Sequence, residues 1–110
     1  MQAIVRDGKL EEYIRMHNNI YPEVQQGLRD CGVMQLTIFK SNLPGVDGGT
    51  HICLYATTAD GIDLGEVTGK GSAYRKSHKR VEEWETMMET EFHAGWVLME
   101  EIHSSDTHWT

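Results

Sequence analysis

Two stripes of apolar residues at helical spacing, each flanked by short runs rich in β-branched residues, set the order of elements along this chain of 110 residues. The first stripe is Leu10, Ile14, His17, Tyr21, Val24 and Leu28, recurring at alternating steps of four and three and so lining one face of a helix. Pro22 lies inside it. Its ring removes a backbone donor and clashes with the preceding turn, which predicts a kink or a break into two shorter helices, with Asn18 or Asn19 capping the second. Gly32 supplies the C-terminal stop. The second stripe, Tyr74, His78, Val81, Trp84 and Met88, predicts a helix from Ser72 to about Phe92.

Four runs read as strands. "MQAIV" is ended by the turn signal Asp7-Gly8, and "VMQLTIF" (Val33 to Phe39) sets Met34, Leu36 and Ile38 on one face. "THICLYATT" (Thr50 to Thr58) pairs with it as a hairpin across the turn-rich "NLPGVDGG", and "WVLMEEIH" (Trp96 to His103) closes the chain. Residues Ala59 to Gly71 read as an irregular connection, and 104–110 as a tail that orders only against a partner. The order strand, helix, strand, strand, helix, strand predicts an α+β, ferredoxin-like split βαβ fold: a four-stranded antiparallel sheet with two helices on one face. Val33, Phe39, Cys53, Tyr55, Val97 and Met99 are expected to share the other face. An apolar surface of that extent is usually covered by a second subunit, so a homodimer with facing sheets is expected.

A chain of this length suits a single domain over 1–110. The net charge of -7 opposes binding to nucleic acid, because such affinity rests on cations that neutralise phosphates. The basic stretch "YRKSHKR" (Tyr74 to Arg80) runs straight into "VEEWETMMETE", which predicts a charge-mixed, solvated helix face. No apolar run reaches membrane-spanning length, and "MQAIVRDGK" lacks the features of a secretory or transit segment, so no membrane partner and a cytoplasmic location are expected. Cys31 and Cys53 have no metal-ligand spacing and read as buried or half-buried thiols; no metal site is expected.

The chemistry-bearing residues cluster in "EEYIRMHNNIYPEV". Tyr13 and His17 are one helical turn apart and lie one above the other on the face toward the sheet. A histidine there is either a satisfied core residue or an imidazole placed in a cleft to give and take a proton near neutral pH. Glu12-Tyr13, His17-Asn18 and the aromatic-Pro-Glu at Tyr21 to Glu23 resemble the signature helix of the L-rhamnose mutarotases. "CGVMQLTIF", "RVEEWETMM" and "WVLMEEIH" continue the resemblance over most of the chain.

The resemblance implies a cofactor-free sugar 1-epimerase with a dimeric α/β-barrel fold, interconverting the anomers of a monosaccharide. It places the proton-transferring histidine on His17 and a substrate-contacting tyrosine on Tyr13. Of the family's tryptophan pair only Trp84 is present, followed by Glu85, and Leu36 stands where the family has a tyrosine. The sugar is therefore left open between L-rhamnose and a related 6-deoxy sugar or pentose. Trp84 reads either as core, alongside Val81 and Met88, or as a ring offered to the apolar side of the sugar. Two further classes stay open: an oxygenase-like enzyme of the same barrel fold, and a small-molecule binding module in which His17 is only structural.

Overall fold

The structure, a computed structural model, describes residues 1–44, 49–97, 99–100, 102–103 and 105–108. Strand β1 (Gln2–Val5) alternates in burial, with Ala3 and Val5 turned inward, and ends at the turn carrying Gly8. Helix α1 (Leu10–Asn18) follows, with Glu11 and Glu12 in its first turn, where carboxylates suit the positive end of the helix dipole. A second helix, α2, runs over Pro22–Asp30.

The break falls where Pro22 predicts it. Tyr21, pushed out of the helical region by the ring that follows, is extended at φ -60° and ψ 133°, and Pro22 opens α2 in the first turn, where its missing N–H costs nothing. The asparagines do not cap α2 as expected. Tyr21 holds the N-cap position without a side-chain bond, and Asn19 turns back to donate from Nδ2 to the Arg15 carbonyl. The stripe also rotates slightly: Ile14 is exposed, and Tyr13 is the buried residue of α1.

Strand β2 (Val33–Pro44) and strand β3 (Thr50–Thr58) form the expected hairpin, paired from Val33 with Thr58 to Pro44 with Thr50; of its connection, 45–48 lie outside the described residues. Three short helices come next: α3 (Leu64–Val67), within the stretch expected to be irregular, α4 (Ala73–Lys76) and α5 (Lys79–Met87). A π-helical turn over Met88–Phe92 then leads into β4 (His93–Val97), and α6 is a single turn at Ser105–His108, within the segment expected to be a tail.

The single helix expected from Ser72 to Phe92 is thus broken, and the cause is His78. Instead of pointing into the core as the stripe suggests, it is exposed and extended, and its Nδ1 accepts the Arg80 N–H as the N-cap of α5. The closing strand begins and ends earlier than expected. Val97 pairs with Gln2 and Trp96 with Ala3; of the rest of the expected run, 98 and 101 lie outside the described residues, and 99–100 and 102–103 are not in a strand.

Strand order is β2-β3-β1-β4, each neighbour antiparallel, which is the ferredoxin-like arrangement. The core lies between the helices and the sheet face bearing Ala3, Val5, Ile52 and Leu54, and includes Tyr13, Val24, Tyr74, Trp84 and Phe92. On the other face Phe39, Tyr55, Val97 and Met99 are all more than half exposed, as expected of an uncovered surface, and the Cys53 thiol points its hydrogen at the Met99 sulfur. Val33 departs from that set: a register shift between Val33 and Gln35 changes the alternation, so Val33 is buried while Met34 is exposed.

The basic stretch is only partly a solvated face. Lys79 pairs with Glu83 on the surface, and Arg80 lies 4.0 Å from the centre of the Tyr21 ring. Arg75, by contrast, is 4% exposed; its Nε donates to the Thr68 carbonyl at 2.9 Å, and its guanidinium pairs with Glu89 and, at 3.6 Å, with Glu82. Acids one and two helical segments downstream draw the cation inward rather than leaving it in water.

Candidate active site

A cavity of about 420 Å³ opens between the helices and the sheet, and the chemistry of the molecule converges on it. Tyr13 and His17 from α1, Trp84 and Glu85 from α5 and His93 from β4 all line it, while Leu36, Ile38 and Leu54 from the sheet supply apolar wall. A larger cleft, about 710 Å³, shares Tyr13 and His17 and extends along β2 past Gln35 and Lys40, but Trp84, Glu85 and His93 do not border it.

The three residues expected at a site are brought together. The rings of Tyr13 and His17 are 4.2 Å apart, and His17 meets Trp84 edge-on at 5.1 Å. Trp84 is 3% exposed and also contacts Tyr21 edge-on at 5.3 Å, so it is both a core residue and a wall of the cavity.

Helix geometry sets the state of His17. Its Nδ1 lies 2.9 Å from the carbonyl oxygen of Tyr13, four residues earlier. A carbonyl only accepts, so Nδ1 carries the proton and Nε2 keeps its lone pair. Burial lowers the pKa of His17, against the smaller opposing effect of the Tyr13 carbonyl. The imidazole is therefore neutral at pH 7, with a basic nitrogen left over.

Three residues that the sequence did not assign to a site complete the cavity. His93 opens β4 opposite Val5, and its Nε2 lies 3.0 Å from the Tyr13 hydroxyl. Burial, and then the neighbouring His17, push its pKa down to about 4, with Glu89 opposing. Glu85 accepts a hydrogen bond from the Tyr74 hydroxyl at 2.8 Å; burial nonetheless raises its pKa, outweighing Tyr74 and Arg75, which favour the charged form. Arg75 is the third, holding Thr68 and Glu89 at the polar end of the cavity.

No periodic signal marks His93, because it falls where a helical pattern stops and before the run that reads as strand. Glu85 is visible in the sequence only as a departure beside Trp84. Among the described residues, no group of three or more His, Cys, Asp or Glu side chains is placed to hold a metal ion, and no helix is long and apolar enough to cross a membrane.

The fold is thus α+β with ferredoxin-like topology, and it gathers a neutral histidine, a tyrosine and a tryptophan around one cleft. The family model for L-rhamnose mutarotase matches residues 1–109. The chain belongs to the L-rhamnose mutarotase family, whose members are isomerases acting on a monosaccharide. No curated protein and no solved structure matches it.

Proposed function

We propose that the protein exchanges the α and β anomers of L-rhamnose or a closely related monosaccharide, with His17 as the group that moves the proton. The observation that carries this reading is the bond from His17 Nδ1 to the Tyr13 carbonyl, which leaves Nε2 as a base at the cavity wall.

Anomer exchange asks for little equipment. The anomeric hydroxyl loses a proton as the ring oxygen gains one, the ring opens to an aldehyde, the aldehyde turns, and closure on its other face reverses both transfers. A neutral imidazole with a free lone pair begins this at pH 7. Tyr13 hydrogen-bonds to the sugar ring, Trp84 borders its apolar side, and the half-buried Glu85 carboxyl accepts from a hydroxyl. No cofactor takes part in these steps.

The acting form is a homodimer, its two sheets joined through the apolar face that carries Phe39, Tyr55, Val97 and Met99. Free thiols at Cys31 and Cys53 suit a cytoplasmic site of action.

Saturation-transfer NMR of anomer exchange over a panel of free sugars tests the reading. Acceleration of exchange for L-rhamnose or a near relative is expected. A sugar that binds with no gain in exchange rate would instead make the protein a binding module.

A further inference from the structure

We propose that His93 is a positioning residue for the exchange reaction: its Nε2–H holds the Tyr13 hydroxyl oxygen at 3.0 Å, so that Tyr13 gives its proton to the ring oxygen of the sugar while His17 takes the anomeric proton. This rests on the mutarotase reading above.

Ring opening needs an acid as well as a base, and Tyr13 brings a hydroxyl beside His17, with their rings 4.2 Å apart on the same cavity wall. Alone it is a poor acid. Burial, and then the charge of Glu85, push its pKa up from that of an ordinary phenol, because nothing in an apolar wall welcomes a phenolate. A hydrogen-bond donor aimed at the oxygen that becomes charged removes much of that penalty.

His93 is placed for that task. Its ring is 5.4 Å from the Tyr13 ring, and it opens β4 directly after the buried Phe92, opposite Val5 of β1, so the sheet fixes where it stands. Burial keeps the ring neutral at pH 7, and with its proton on Nε2 it donates to Tyr13. Tyr13's own hydrogen is then free to face the cavity.

The step balances. His17 Nε2 takes the proton of the anomeric hydroxyl; the bond between the anomeric carbon and the ring oxygen breaks as the carbonyl forms; the ring oxygen takes the Tyr13 proton. The site then holds an imidazolium at position 17 and, at position 13, a phenolate that accepts from His93 Nε2–H. Rotation of the aldehyde followed by the reverse transfers closes the other anomer and restores both side chains.

Nitrogen-15 NMR of the histidine rings in the intact protein should show His93 as the neutral Nε2–H tautomer, and the Nδ1–H tautomer would overturn the proposal. In the exchange assay His93→Phe should lower the maximal rate per folded molecule roughly 100-fold, the scale of losing one donor to a developing oxyanion, with little change in the half-saturating sugar concentration. His93→Gln, whose amide N–H reaches the place of Nε2, should restore most of the rate. In a Tyr13→Phe background, His93→Phe should cost nothing further.

A full rate in His93→Phe, or losses that simply add, would remove the residue from the mechanism. If His93→Phe does not fold, the tautomer and the Gln variant decide. Wild-type protein that exchanges no sugar would sink the mutarotase reading itself, whereas exchange that falls in His17→Asn but not in His93→Phe would sink only the role of His93.

Discussion

His17 carries two kinds of bond, one to the helix and one offered to the cavity, and a substitution can separate them. His17→Asn keeps a polar side chain but cannot shuttle a proton, so exchange should fall about 10²- to 10⁴-fold with the thermal midpoint nearly unchanged. Rate and midpoint measured on the same samples check this. Glu85 makes the opposite case. Burial raises its folded-state pKa, so the fold prefers the protonated carboxyl; that contribution is present at low pH and is lost as pH rises through the folded pKa. Glu85→Gln, which keeps an acceptor for Tyr74, should therefore raise the melting temperature at pH 7, and the gain should disappear below about pH 4.5, the usual glutamate value. Melting curves at the two pH values give the sign. At this scale Tyr13 and His17 were legible because one helical turn joins them. His93 and Glu85 were not, because their neighbours in space come from distant parts of the chain.

Among the elements, α2 and α4 approach closely at Gly27. A Cβ added to Gly27 would stand 3.0 Å from Cδ1 and 3.1 Å from Cε1 of Tyr74, a fully buried ring fixed by its bond to Glu85. Helix propensity alone favours alanine over glycine by about 1 kcal/mol, but overpacking at so close an approach costs about 1 to 3 kcal/mol. Gly27→Ala should thus destabilise, seen as a lower denaturant midpoint with unchanged slope. The break between α1 and α2 could be read from the sequence, since Pro22 acts on its own neighbours. The break at His78 could not: a cap and a core residue occupy the same place in a helical stripe, and only the Arg80 N–H tells them apart. The inward turn of Val33 was hidden for a related reason, because it depends on a register shift with β3.

Taken whole, the molecule has one sheet face packed and one bare. Phe39 is paired with Cys53 and Tyr55 with Thr37 across β2 and β3, while Gln2 links Cys53 to Val97, so the exposed apolar residues run across the sheet rather than standing singly. Replacing two of them with charge, as in Phe39→Glu with Tyr55→Lys, leaves the packed face untouched. Sedimentation at micromolar concentration should give a mass of two chains for the wild type and one for this variant.

The Tyr13–His93 contact joins residues 80 apart in the chain and depends on β4 docking against β1. Loop-closure entropy makes so distant a pairing slow compared with the local turns of α1 and α5. The Tyr13–His93 pair is consequently a late product of folding, whereas the Tyr13–His17 pair is set within one helix. Refolding followed by two signals should separate them: helical circular dichroism should recover first, and exchange activity should appear only as the last strand locks in.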